Sequence, residues 1–406
     1  MHSETPSGQR ISAHISALAD RLWEISLELH RNPELSYREY RAAALLAGEL
    51  ESSGFAVERE VAGLPTAFVG NIGSGDSPRV ALLLEYDALP ELGHACGHNL
   101  IATAGLGAAL ALQPLVQATG GTLLVVGTPA EEDGGGKIAE VEAGVFEGVD
   151  AALMFHPGVY NWSWAPLTAM VELRIAFHGK AAHPTGNPQD GVDALGTLIR
   201  TFNELEVLSQ SLPDGSHVQG IIIRGGEVTN IIPDFAEGRF GLRALTTSAL
   251  DRLLDQVRAC AEQAARETSA AVVIEKLGAT YTHFRSNPVL AGTFSRHLAR
   301  LGISATEPLP GVYLGSSDIG NVSTKVPTIH PFLQILPPDQ SDHTPAFTAA
   351  AAGEYGKAAM LAAAEALAFT AFDVLSDPAV AEQAWTAFRN QAASEQSGPQ
   401  LRQHAM

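Results

Sequence analysis

Two histidines and one of the chain's two cysteines fall within the seven residues Gly93-His94-Ala95-Cys96-Gly97-His98-Asn99. Thiolate and imidazole are borderline-soft ligands, and side by side they suit zinc or a similar divalent ion. The flanking glycines let the backbone turn tightly enough for side chains two apart to reach one point. Taken alone, the cluster equally fits a buried cysteine beside a capping histidine. Three further motifs raise the metal reading. Glu131-Glu132 ends an apolar run and precedes Asp133-Gly134-Gly135-Gly136. Neighbouring carboxylates repel and three glycines weaken the segment, so the arrangement is costly unless something uses it. One glutamate would bind a metal and the other would act on water as general base; the plain alternative is an acidic loop. His156-Pro157 follows the buried-strand pattern Ala-Ala-Leu-Met-Phe, where the histidine is a ligand or a turn cap. His343 stands in Ser341-Asp342-His343-Thr344-Pro345, with Thr344 reading as a helix N-cap and Pro345 as the first helical residue. Jointly, Cys96, His98, Glu132, His156 and His343 form a five-ligand set for two divalent ions, with Glu131 left over as base. Such sites activate a shared water for attack on an amide or ester carbonyl.

These residues need elements to hold them, and the apolar patterning supplies candidates. Val80–Leu84, Thr122–Gly127 and Ala151–Phe155 read as strands, with an Ala/Leu-rich helix, Ile101–Leu115, between the first two. That alternation argues an α/β architecture, a central mixed sheet with helices on both faces. In such sheets ligands bind outside the carboxyl ends of strands, and there stand Glu85 and Asp87, Glu131 and Glu132, and His156. Upstream, Leu18, Leu22, Ile25, Leu27 and Leu29 recur at roughly helical spacing within Ile11–Glu51, interrupted at Pro33. From Thr168 the order becomes strand (Val171–Phe177), helix (Asp190–Leu208), strand (Val218–Ile223), strand (Gly238–Leu245), helix (Ser248–Glu267), strand (Ala270–Lys276). This is the signature of an inserted ferredoxin-like α+β domain. The expected division is 1–167, an insertion at 168–282, and a second part at 283–406. Helices are expected at Asn287–Leu301 and Thr348–Ala368, and the polar tail from Ser394 is expected to fray.

A chain of 406 residues exceeds one hydrophobic core and suggests two domains. Its 46% hydrophobic and 17% charged content describes a well-buried globular protein. No apolar run approaches the roughly 20 residues of a membrane span, and Met1–Arg10 lacks the apolar centre of a signal peptide. Two cysteines make no disulfide framework, so cytoplasmic residence is expected. The net charge of −20, from 45 acidic and 25 basic residues, repels nucleic acid and anionic membrane, and neither is expected as a partner. It would favour cationic substrates, though solubility alone explains an acidic surface.

His94-Ala95-Cys96-Gly97-His98, Glu131-Glu132-Asp133-Gly134-Gly135, Phe155-His156-Pro157, Gly179-Lys180-Ala181-Ala182-His183 and His343-Thr344-Pro345 together resemble the two-metal amidohydrolases of peptidase family M20, subfamily D. His30-Arg31-Asn32-Pro33-Glu34-Leu35-Ser36 resembles the group's amino-terminal signature, and the match runs in order through about residues 20 to 370. Gly315–Ser323 and His343-Thr344-Pro345 look most like its aminobenzoyl-glutamate hydrolase and dipeptidase branch. The resemblance implies a catalytic domain interrupted by a dimerisation and lid domain, two divalent ions (zinc or manganese, or cobalt), and a homodimer. It implies hydrolysis of the amide bond of a small N-acyl amino acid or dipeptide. Hydrolysis of auxin-type or hippurate-type conjugates by the same machinery, or a non-catalytic scaffold descendant, are the other readings. It further implies Cys96 as a bridging thiolate, His98, Glu132, His156 and His343 as the remaining ligands, and Glu131 as the proton shuttle. Asp87 would orient a neighbouring ligand. The wider family has histidine where this chain has Glu85, and His98 would replace it, which leaves the partition of ligands between the ions open. His183 resembles the lid histidine that reaches into the partner subunit's active site and steadies the substrate's carbonyl oxygen. Asn230 and Arg243 match positions that bind the substrate's polar end, although Asn230 also reads as an ordinary turn and Arg243 as the end of an exposed strand. His94, His178 and His330 are read as structural.

Overall fold

The computed structural model describes residues 6–396. Pro166–His283 and Gly311–Gly320 cluster as one unit, and the remaining described residues form the other. The first unit begins with α1 (Pro6–Arg31), whose Ile11, Ile15, Leu22, Ile25 and Leu29 line one buried stripe, and α2 (Tyr40–Ser52) follows after Pro33. Next come β1 (Ala56–Arg59), β2 (Phe68–Gly73), β3 (Arg79–Glu85), α3 (His98–Thr119), β4 (Thr122–Thr128), α4 (Gly136–Glu142), β5 (Ala151–Leu153) and β6 (His156–Gly158). The second unit holds β7 (Ala169–His178), α5 (Ala194–Ser209), β8 (His217–Arg224), β9 (Phe235–Ala244), α6 (Thr247–Thr268) and β10 (Ala271–Tyr281). The chain continues through α7 (Pro288–Arg300), α8 (Ile319–Ser323), β11 (Thr328–Ile329), β12 (Phe332–Gln334), α9 (Pro345–Ala351), α10 (Glu354–Ser376) and α11 (Pro378–Gln396).

The sheet of the first unit is mixed, in the order β1-β2-β4-β3-β5-β11. β1, β2 and β4 pair antiparallel, whereas β4, β3, β5 and β11 run parallel. β3 lies between β4 and β5, and every residue from Val80 to Glu85 is buried, as expected of a parallel strand covered on both faces. The carboxyl ends of β3, β4 and β5 therefore come together, at the point where chain connections leave the sheet in opposite directions. α3 packs on β3 and is itself covered by α1 and α10. Close approach is possible because a Cβ at Gly105 would lie 2.7 Å from Leu84 and one at Gly107 2.8 Å from Leu22.

Burial of α3 and α10 corrects one expectation. Both helices are long and apolar enough to cross a membrane by composition alone, with mean hydropathy 1.5 and 1.7, yet 83% and 78% of those stretches are buried within the fold. They are apolar all round because they are packed all round. Other boundaries also shift. The strand expected to end at Phe155 ends at Leu153, and His156 opens the separate strand β6, paired parallel with β12. The helix expected over Thr348–Ala368 is two, α9 and α10, broken at Gly353 in extended conformation. α5 starts at Ala194, because the Asp193 carboxylate accepts from Gly196 N at 2.9 Å and caps it there. The expected fraying tail begins inside α11 at Ser394; residues beyond 396, like 1–5 of the polar amino-terminal stretch, lie outside the described residues.

In the second unit β10-β7-β9-β8 form an antiparallel sheet. With α5 and α6 this is the β-α-β-β-α-β arrangement of a ferredoxin-like sandwich. β7 alternates buried and half-buried positions from Ala169 to Arg174, and Leu250, Leu253, Leu254, Val257 and Ala261 of α6 recur at helical spacing in the shared core. Gly311–Gly320 joins this unit, where Thr168 N donates to Gly315 O at 2.7 Å.

Leu82, fully buried at the centre of β3, tests the first unit's core. Leu82→Ala is expected to lower stability by about 2–5 kcal/mol, read as a fall in urea midpoint; a loss below about 1 kcal/mol would show that β3 is not central to the core.

Candidate metal centre

Cys96 and His98 sit at the start of α3 because Gly97, its N-cap, adopts φ +77°. A Cβ there would be strained and would stand 2.5 Å from Pro157 Cγ. The same close approach brings β6 and His156 against the cysteine, with His156 Nε2 3.3 Å from Cys96 Sγ. His156 Nδ1 lies 2.5 Å from Pro157 O, which assigns the proton to Nδ1 and leaves Nε2 as an acceptor facing the thiol. His343 reaches the cluster from the loop before α9. Its backbone N donates to Ala95 O at 3.0 Å, and Thr344 and Pro345 cap and start the helix.

Asp87, two residues beyond β3 and fully buried, joins three segments. Its Oδ1 accepts from His98 Nδ1 at 3.0 Å, and its Oδ2 accepts from Glu132 N at 3.0 Å and Ser36 Oγ at 2.8 Å. Burial pushes its carboxyl up, but the His98 charge and these hydrogen bonds outweigh it and hold the group at about 2. His98 Nε2 is thereby aimed away from Asp87 and toward Glu85, Glu131 and Glu132, whose nearest oxygens lie at 3.6, 3.8 and 3.8 Å. Glu132 Oε2 lies 3.6 Å from His343 Nε2.

Four side chains thus define two overlapping groups around Cys96. Cys96, His98 and His156 form one, Cys96, Glu132 and His343 the other, and within each the ligand atoms lie within 4.8 Å of one another. His98, Glu131 and Glu132 form a third. His98 Nε2 and Glu132 Oε1 are buried and find no hydrogen-bond partner among the described residues, an unfavourable state unless a further group fills the gap. Ligands about 2.0–2.3 Å from a shared ion stand roughly 3.3–3.8 Å apart, the spacing of Cys96 Sγ from His156 Nε2 and of Glu132 Oε2 from His343 Nε2. The charges agree. Burial opposes a charge on His98, but Asp87, Glu85 and Glu132 raise it well above an ordinary histidine. Burial and then Glu132 and Glu131 push the Cys96 thiol up, and burial brings His156 down to about 4. The cluster calls for positive charge, and thiolate, imidazole and carboxylate donors fit divalent ions.

Some of the site was not anticipated. Glu85 pairs with Lys137 at 2.5 Å, and both side chains are within 1% of complete burial. Nothing in Gly135-Gly136-Lys137 signals a buried lysine, because a cation after three glycines reads as a solvated loop. Breaking such a pair would strand a lone buried charge, at a cost of about 3–5 kcal/mol. Ser36, seen only as part of the amino-terminal signature, donates to Asp87 and accepts from Asp133 N at 3.2 Å. Ala130, just before Glu131, adopts φ +59°, and Tyr37 adopts φ +62°, conformations that cost non-glycine residues about 1–3 kcal/mol. His94 is buried and stacks on His30; burial holds it down at about 3. His330 packs edge-on against His156. Among the described residues neither joins a ligand group, nor does His178, which lies against Phe235.

His183, Asn230 and Arg243 belong to the second unit. His183 is exposed, and its Nδ1 accepts from Thr185 N at 3.2 Å and Gly186 N at 3.0 Å. Its ring proton therefore resides on the outward Nε2. Asn230 occupies an exposed turn between β8 and β9. Arg243 corrects its expected place at the end of an exposed strand. It is half-buried in β9, an interior strand opposite Met170 and His217, and donates to Ser316 Oγ at 2.6 Å.

Residues 168–269 match the model of a peptidase dimerisation domain of M20 type. Over 405 residues the chain is 38% identical to the Xaa-Arg dipeptidase of Mus musculus, covering 96% of this chain and 93% of the relative. A p-aminobenzoyl-glutamate hydrolase polypeptide of Escherichia coli (strain K12) is 34% identical over 63% of this chain and 56% of its own length. Among solved structures, a dinuclear metal binding peptidase from the M20 family of Bacillus subtilis superposes with a TM-score of 0.71 at 22% identity, over 89% of this chain and 99% of that one.

Two substitutions separate packing from ligation. Gly97→Ala is expected to cost about 1–3 kcal/mol and to lower bound metal by displacing Cys96 and His98. Cys96→Ala should lower metal content with little loss of thermal stability in the metal-free protein. Unchanged metal stoichiometry in Cys96→Ala, measured by atomic emission, would remove the thiolate from the centre.

Proposed function

The chain belongs to the M20 family of amidohydrolases and peptidases, metal-dependent hydrolases of carbon–nitrogen bonds, and from that premise we propose that it is a two-metal dipeptidase. The observation that carries this reading is the membership of Cys96 in both ligand groups, with the unpartnered His98 Nε2 and Glu132 Oε1 beside it. Cys96 would bridge two divalent ions, His98 and His156 would complete one set, and Glu132 and His343 the other. Zinc suits the thiolate and imidazoles; manganese and cobalt suit the carboxylate-rich side. When bound, the ions would polarise the scissile carbonyl and lower the pKa of the attacking water.

The chain's own groups do the rest. Asp87 orients His98 through the Nδ1 hydrogen bond, which commits Nδ1 as a donor and leaves Nε2 as the nitrogen that would face an ion. Glu131 takes the proton of the attacking water on its carboxylate and passes it to the departing amine nitrogen. Lys137 neutralises Glu85, which leaves the centre with one buried carboxylate fewer to compensate. By likeness to the family, His183 would reach into the partner subunit's active site and offer its Nε2 proton to the substrate's carbonyl oxygen there, and Arg243 and Asn230 would meet the substrate's carboxylate. Dipeptides ending in arginine come first among candidate substrates on likeness to the mouse relative. The net charge of −20 favours the approach of such cationic ends. A reducing cytoplasmic setting would keep the Cys96 thiol available.

The proposed assembly is a homodimer through the second unit. β8 is an edge strand, and Ile221, Ile222 and Ile223 on it, with Val228 and Ile231 beyond, are exposed. An apolar unpaired edge invites a second strand. Sedimentation should give a dimer for the native chain and a monomer for Ile222→Lys; a native monomer would sink this part.

For the activity, metal-reconstituted protein is to be assayed on Xaa-Arg dipeptides, acyl-glutamates and neutral dipeptides, with a chelated control. Hydrolysis should vanish on chelation and return with zinc, manganese or cobalt; no metal-dependent turnover in any class would overturn the proposal. Glu131→Gln should keep its metal and lose about 10²–10⁴-fold in kcat, and near-native turnover there would reject Glu131 as the base.

A further inference from the structure

Glu39 is a fully buried carboxylate outside the ligand groups. It stands at the N-cap of α2, yet its side chain makes no bond to that helix. Instead Oε1 accepts from Tyr37 N at 2.9 Å and from Ala130 N at 2.9 Å, while Oε2 accepts from Thr66 Oγ1 at 2.8 Å. Tyr37 and Ala130 are both non-glycine residues in the left-handed region, so a single oxygen holds two strained turns at once. One turn carries Ser36, which donates to Asp87; the other delivers Glu131. The turns also touch each other, since a Cβ at Gly134 would lie 2.3 Å from the Tyr37 ring. Downstream of Glu131 the segment Gly134-Gly135-Gly136 has little stiffness of its own.

We propose that Glu39 is a positioning residue for Glu131, acting by pinning the left-handed Ala130 and Tyr37 turns with one carboxylate oxygen. Without that acceptor, the buried Ala130 N–H and the part-buried Tyr37 N–H lose their partner, Ala130 relaxes toward ordinary backbone angles, and Glu131 leaves its place beside the His98 Nε2 pocket. The ligands Cys96, His98, His156 and His343 come from other segments, and Glu132 keeps its own anchor through Glu132 N on Asp87. The loss therefore falls on the base and not on metal retention.

The inference rests on the role proposed for Glu131, and a double-mutant cycle tests the two apart. Glu39→Ala should lower kcat by about 10²-fold, the usual consequence of a displacement near 1 Å, with KM and metal content within about 2-fold of native. Glu39→Gln, which keeps an acceptor oxygen and is nearly isosteric, should recover most of kcat and guards against a variant that fails to fold. Adding Ala130→Gly to Glu39→Ala should recover part of kcat, because glycine holds φ +59° unaided. On a Glu131→Gln background, Glu39→Ala should add less than about 3-fold. A full effect of Glu39→Ala on that background, or metal loss in proportion to activity, would overturn the proposal and leave the role of Glu131 intact. Native turnover in Glu131→Gln would instead reject the base itself.

Discussion

Everything in the first unit's site depends on the burial of the Asp87 carboxylate. One oxygen fixes the tautomer and aim of His98, and the other gathers Glu132 N and Ser36 Oγ. Three stretches distant in sequence meet on that one group. The group remains ionised in a dry setting because donors and the His98 charge outweigh the burial that opposes it. The direction of His98 Nε2 follows, and with it the shared pocket of carboxylates and thiol.

Charge is the second constraint. Glu85, Asp87, Glu131 and Glu132 converge where β3 and β4 end, and one internal cation, Lys137, answers one of them. The remaining negative charge shows in the raised His98 and Cys96 groups. A buried cluster of this sign is stable only with more positive charge, which is why the same arrangement that makes the metal-free site unfavourable makes it a site for divalent ions. Backbone strain at Ala130, Tyr37 and His343 belongs to the same account. Left-handed residues stand next to Glu131 and at His343 itself, where the chain turns sharply beside the cluster.

Much of this was legible in the chain itself. Val80–Leu84 and Thr122–Gly127 are short apolar runs that fit buried strands, and the ligand types at their ends named a reaction class. The alternation from Thr168 onward likewise marked a ferredoxin-like unit. What escaped were residues whose type misleads about burial. Lys137 reads as solvated, and α3 and α10 carry composition that by itself fits a membrane as well as a core. The break at Gly353 and the early end of β5 escaped because each depends on what packs beside it, not on local propensity.

The sequence by itself determined the chemistry available: cysteine, imidazole and carboxylate at strand ends, in an order that suits two ions and a base. Tertiary structure alone decided which of those groups share a pocket. Cys96 falls in both ligand groups because Gly97 admits Pro157 at close range, and His98 faces the carboxylates because Asp87 holds its other nitrogen. His94, two residues from the cysteine, packs against His30 instead. Spacing along a chain limits what can meet, but the direction of a side chain is set by the hydrogen bonds and contacts that distant segments bring to it.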